Sequence, residues 1–222
     1  GNWLDVLMAG HFARYLLNSA TVVVPAVGVL VVIASMGAYG FTRYRFRGRE
    51  LLYMILFSFI VLPQQMILIP LFELFTDLRL HNTRFGLILI YIAVSLPLAI
   101  YTLRNFFEAI PRELDEAARL DGASEWVVFW RVMFPVAWPA ISATLIINFI
   151  LLWNEFLLAN IFIREESLRT LQLGLMQYFG RYFLDYARLA TASLISALPA
   201  LMIYLFLARY IVRGMITGAL QG

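Results

Sequence analysis

The run Glu113-Leu114-Asp115-Glu116-Ala117-Ala118-Arg119-Leu120-Asp121-Gly122 is a charged island between long apolar segments. Its carboxylates lack an obvious acid–base pairing, and the remaining carboxylates are spread over loops. His11 and His81 are the only histidines, without metal-ligand spacing, and read as solvated loop residues. Neither a Gly-x-Ser-x-Gly elbow nor a His-Glu-x-x-His helix occurs. Cysteine is absent, which removes disulfides, thiolate metal sites and cysteine nucleophiles. All 17 basic residues are Arg, so the lysine of a phosphate-binding P-loop is missing too. Any ATP used must be hydrolysed by another subunit. What the charged island can offer is recognition, a handle for water-soluble machinery on a greasy chain.

The elements around it are membrane helices. The chain is 62% hydrophobic with a mean hydropathy of +0.81. Its apolar runs reach the ~18–20 residues that cross a bilayer core. Continuous rather than alternating apolarity selects helices over a barrel. Five spans are expected, at about Leu16–Gly40, Leu51–Phe75, Phe85–Leu103, Pro139–Ile163 and Ala187–Ala208. Pro25, Pro63, Pro70, Pro97 and Pro199 fall inside them as kinks. Arg43, Arg45, Arg47 and Arg49 place the loop Phe41–Glu50 in the cytoplasm, with the charged island and the C-terminus on the same side. That leaves Gly1 outside, so a further span is expected upstream and six in the full protein. The basic balance, pI near 9.3, reflects arginines flanking spans rather than nucleic-acid binding.

The island should fold as two short helices. Pro111 suits a first-turn position, and Glu113, Asp115 and Glu116 put negative charge near a helix N-terminus. Gly122 can take the left-handed conformation that ends the first helix, near Asp121. Ser124 can cap a second helix running through Val132, and Pro135 should stop it. One face of the first helix presents Leu114, Ala117, Ala118 and Leu120, with small alanines that permit close approach. Packing on lipid headgroups is the alternative use of such a helix.

The spacing resembles the EAA loop of binding-protein-dependent ABC importer permeases. That loop reads Glu-Ala-Ala, three residues, Gly, nine residues, an aliphatic, one residue, Leu and Pro. Glu116, Ala117, Ala118, Gly122 and Pro135 match it, and Val132 and Phe134 are apolar replacements. The resemblance extends to Arg14–Ser19, Ala38-Tyr39, Arg43–Phe46, Gly48, Trp153-Asn154-Glu155-Phe156 and the tail Arg209–Gly222. These runs are similar to sugar-importer permeases, the tail to the smaller maltose-type one. The resemblance implies one transmembrane domain over residues 1–222 lacking its first span, with a coupling loop at about 105–138. It implies that Glu116, Ala117, Ala118, Asp121, Gly122 and Pro135 serve ATPase docking, with Glu116 pairing a basic residue of the ATPase. The implied partners are a homologous second permease, two copies of an ABC ATPase, an external solute-binding protein, a sugar and membrane lipid. No cofactor is expected in this chain; ATP and magnesium belong to the ATPase.

Polar residues inside the expected spans are candidates for the pathway or for contact with the second permease. Asn148, Asn154 and Glu155 fall in the fourth span, where positions 148 and 155 would share a helical face. Gln64 and Gln65 follow Pro63 in the second. Helix–helix hydrogen bonding is the plainer use of such residues. Gln177 and Tyr178, in the external segment Arg164–Arg188, are candidates for contact with the binding protein. The expected fold class is therefore an all-α polytopic membrane bundle with a cytoplasmic coupling-helix loop. The expected function is ATP-driven import of a di- or oligosaccharide, by a chain that is itself no enzyme. A non-sugar solute such as glycerol 3-phosphate or a phosphodiester, or a membrane receptor or scaffold, are the other readings.

Overall fold

The computed structural model of the chain describes residues 11–176 and 186–219, which form helices and no strand. Helices α1 (His11–Arg43) and α4 (Arg84–Ala109) are each long and apolar enough to cross a bilayer. Between them lie α2 (Arg49–Val61), a 3₁₀ turn (Gln64–Ile67) and α3 (Leu68–Asp77). After α4 come α5 (Glu113–Leu120), α6 (Glu125–Val136) and α7 (Trp138–Trp153), then α8 (Leu157–Phe162), α9 (Leu171–Leu175) and α10 (Tyr186–Ala219).

Two of the expected spans are broken rather than kinked. The second bends by 103° between Arg49–Val61 and Gln64–Asp77. Leu62 is extended there, at φ −69° and ψ 129°, because the residue before a proline avoids the α region. Pro63 then has no N–H with which to continue the ladder. The fourth expected span ends at Trp153, and Asn154–Phe156 interrupt it before α8. Pro135 does not stop the second loop helix either. Val128–Met133 winds as a π turn, the α register returns for Phe134–Val136, and the chain bends by 74° only at Ala137. Helix α2 buries none of its own residues, although Leu51, Met54, Phe59 and Val61 are large and apolar. Such a helix suits lipid or a neighbouring subunit.

The chain divides into two compact units, one formed by residues 1–27, 64–92 and 149–204, the other by 28–63, 93–148 and 205–222. In the first, side chains strap the segment after α8 to α1 and to the start of α4. Asn18 Nδ2 donates to the carbonyls of Ser167 (2.8 Å) and Arg169 (2.9 Å), and its Oδ1 accepts from Arg84 at 2.7 Å. Ser19 Oγ accepts the Leu171 N–H at 2.8 Å, where α9 begins. Asn82, left-handed at φ 57°, accepts the N–H groups of Arg164 and Glu165, both at 2.9 Å. His81 is not the solvated residue its sequence context suggests: it is half-buried, with ring centroids 4.8 Å from Phe72 and 6.3 Å from Phe162.

Gly174 lies buried against the Tyr15 ring, and a Cβ at that position would overlap three ring carbons. Tyr15 is itself fully buried and cannot swing away. Gly174→Ala is expected to destabilise the protein by about 1–3 kcal/mol through overpacking. Thermal unfolding in detergent should show the loss, and Tyr15→Leu in the same chain should recover part of it.

Candidate functional site

The second unit holds the charged island. Helix α5 forms where the acidic first turn and the positive φ of Gly122 (84°) predict it. Ser124 occupies the N-cap position of α6 with extended backbone, but its side chain makes no capping bond. Of the docking candidates, Glu116, Ala117, Asp121, Gly122 and Pro135 are exposed and Ala118 is half-buried. Leu120 is 89% exposed, and Leu114, Trp126 and Trp130 add further uncovered apolar area. The loop thus presents uncovered aromatic and aliphatic area beside an exposed carboxylate, a surface suited to a protein partner.

The inward side of α5 carries a charge. Asp115 and Arg43, the last residue of α1, are buried together, with side chains 3% and 2% exposed. Arg43 Nε and Asp115 Oδ1 stand 3.2 Å apart, off the line of a hydrogen bond, and neither atom has a hydrogen-bonding partner elsewhere among the described residues. Arg43 Nη2 also donates to the Ile110 carbonyl at 2.8 Å. The reciprocal contact runs from Arg112 Nη2 to the Thr42 carbonyl at 3.4 Å. The end of α1 and the start of α5 therefore hold each other through charge and backbone.

Arg119, one turn after Asp115, extends the network. Its Nη1 lies 3.4 Å from Asp115 Oδ2, while Nε and Nη2 grip Glu125 at 2.8 and 3.2 Å. Tyr44 donates its hydroxyl to the same Glu125 carboxylate. The Arg119 and Tyr44 hydrogen bonds hold the Glu125 carboxyl below its ordinary range, and the Glu125 bond raises Arg119 further. Burial first, and then the bond to Glu125, pushes the Tyr44 hydroxyl up. Tyr39 packs beneath, 5.8 Å from Tyr44, 6.0 Å from Phe107 and 5.3 Å from Phe129. Together these side chains fix α5, Gly122 and the start of α6 against the end of α1.

The intramembrane candidates have structural partners. Asn148 is buried but donates to Thr144 O of its own helix at 2.8 Å. Glu155 does not share a helical face with it, because α7 has ended. Its carboxylate instead accepts from Leu158 N (2.7 Å) and Ala159 N (3.0 Å), capping α8, and from the Tyr91 hydroxyl (3.0 Å). A carboxylate on free N–H groups at a helix start is favoured by the helix dipole, so Glu155 serves the break rather than lining a continuous helix. Asn154 is exposed and accepts from Gln172 Nε2 at 3.2 Å. Gln64 and Gln65 are exposed in the 3₁₀ turn after Pro63. Gln177 and Tyr178 lie outside the described residues.

Residues 18–217 match the model of the binding-protein-dependent transport system inner membrane component family, and the chain belongs to that family. It is 35% identical over its whole length to the osmoprotective compounds uptake permease GgtD of Synechocystis, covering 74% of that protein. It is 35% identical to the diacetylchitobiose uptake permease NgcG of Streptomyces coelicolor, over 95% of this chain and 70% of that one. A solved bacterial ABC transporter that imports the polysaccharide alginate superposes with a TM-score of 0.82 at 26% identity, over 94% of this chain and 78% of the other. The chain is thus a membrane-embedded permease subunit of an ABC importer.

Glu125→Gln removes the charge that Arg119 and Tyr44 hold. A carboxyl lowered in the folded state contributes stability above its unfolded pKa, and that contribution is lost as pH falls through the lower, folded value. The variant should unfold at lower temperature than wild type at pH 7, by an amount within the ~0–1 kcal/mol of exposed pairs. Thermal unfolding against pH should show the gap persisting at the ordinary Glu pKa of about 4.3 and closing below it.

Proposed function

We propose that this chain forms half the translocation pathway of an ATP-driven sugar importer and couples to its ATPase through α5. The observation that carries the reading is the loop itself: Glu116, Ala117 and Leu120 stand exposed on a short helix ended by a left-handed Gly122. Two further features support it. The helix is braced from behind by the Arg43–Asp115 pair, and its flanking segments lead into the membrane-length α4 and the apolar α7. Oligosaccharide-class cargo is favoured by the diacetylchitobiose and alginate carriers it resembles.

In this reading the loop and C-terminus are cytoplasmic, and five spans lie within residues 1–222 of a single transmembrane domain. A homologous permease supplies the other half of the pathway. Two ATPase copies bind ATP and magnesium and grip Glu116, Ala117, Ala118, Asp121 and Gly122. An extracytoplasmic binding protein delivers the sugar. Closure of the ATPase pair draws α5 inward, and the spans open to the outside. Asn154 and Gln64, both exposed, are the pathway candidates left with surface to offer, although Asn154 Nδ2 also donates to the Ile150 carbonyl; Glu155 caps α8 and Asn148 is buried against its own helix.

Reconstituted with its ATPase, second permease and binding protein, the wild type should show ATP hydrolysis stimulated by a saccharide. Glu116→Lys, which reverses an exposed charge at the docking face, should reduce that stimulation about tenfold or more, as expected for a charge opposed across an interface. Normal coupling in Glu116→Lys would remove Glu116 from the docking role. Stimulation by a phosphodiester and by none of the saccharides would replace the sugar reading.

A further inference from the structure

Asp115 is the only residue of α5 that is buried, and it is charged. A helix that merely lay on the surface would turn an apolar residue inward. Here the inward position faces Arg43 at 3.2 Å, in the last turn of α1. Around that pair the two segments exchange backbone contacts in both directions, Arg43 to Ile110 O and Arg112 to Thr42 O. Asp115 Oδ2 also meets Arg119, which in turn grips Glu125 at the start of α6. The ion pair joins elements far apart in sequence, and withdrawing either partner takes a counter-charge from a buried ion. A contact of this kind resists sliding: small displacements keep both charges paired only if α5 and the end of α1 move as one.

We infer that Asp115 is a positioning residue, through which a displacement of α5 is carried into the last turn of α1. This rests on the reading of α5 as the ATPase-docking helix and adds to it a second role on the opposite face. Glu116 faces outward to receive the force, and its neighbour Asp115 faces inward to pass it on.

The test uses the assembled importer in liposomes, comparing wild type, Asp115→Asn, Arg43→Gln, the exchange Arg43→Asp with Asp115→Arg, and Glu116→Lys. Co-purification of the ATPase, basal hydrolysis and solute taken up per ATP are measured together. Asp115→Asn and Arg43→Gln are expected to retain the ATPase and basal hydrolysis but lose about tenfold in uptake per ATP, within the ~5–150-fold span of coupling between sites. The exchange should recover part of it. A purely structural pair would lower yield while leaving uptake per ATP of the assembled fraction unchanged, and that result overturns the inference while leaving docking intact. Glu116→Lys that docks and couples normally would instead defeat the underlying reading. Should the single variants fail to assemble, the unmutated pair decides. With no cysteine in the chain to interfere, spin labels at Leu114→Cys and at Phe46→Cys, in the loop just beyond α1, report the spacing of α5 from the segment that ends α1. Constant spacing between nucleotide-free and ATP-trapped states is expected; a shifted distance distribution would overturn the strut.

Discussion

Burying Arg43 against Asp115 constrains everything around the charged loop. Desolvating two ions costs several kcal/mol each, and the attraction between them offsets this only with good geometry and added hydrogen bonds. One such bond is present, from Arg43 to the Ile110 carbonyl, and Arg119 adds a second positive charge 3.4 Å from the other Asp115 oxygen. An apolar pair of the same volume could be as stable. What the ion pair contributes is a defined geometry: α5 has one rotation about its axis at which Asp115 meets Arg43. That rotation turns Glu116, Ala117 and Leu120 outward. Losing one partner alone would cost about 3–5 kcal/mol.

The first unit solves a comparable problem with neutral groups. Its segment after α8 has backbone N–H and carbonyl groups without helical partners, and buried polar backbone must be paired. The side chains of Asn18, Ser19 and Asn82 pair with five of those groups. Glu155 does likewise for the N-terminus of α8. Side chains thus replace the missing helical ladder at each break, which is how a membrane protein tolerates interrupted helices.

The membrane-length helices were legible because their apolar runs are long and uninterrupted, as α1 and α4 show. The left-handed Gly122 and the acidic first turn of α5 were legible because they depend on neighbours in sequence. The breaks were not. Pro63 signals a perturbation, but hydropathy cannot distinguish a kink from a 103° bend. Pro135 follows a π turn, which shifts where the chain leaves the helix, and no local pattern announces that turn. Arg43 read as one of four loop arginines and Asp115 as a helix-dipole charge. Their pairing spans the whole of α2 through α4 and exists only in the folded chain. Helical period places Glu155 on the face of Asn148 because period alone extends a helix past Trp153, the residue that ends it.

Cysteine crosslinking from Leu120 is the most direct measurement of the central claim, that α5 is where this permease meets its ATPase. Leu120 is 89% exposed on α5, and the chain has no native cysteine. In membranes carrying the complete importer, Leu120→Cys should crosslink to the ATPase subunit, and modification of Leu120→Cys from the external side should fail. An ATPase that co-purifies with the permease yet never crosslinks to this position, or a Leu120→Cys thiol labelled from outside, would contradict the account.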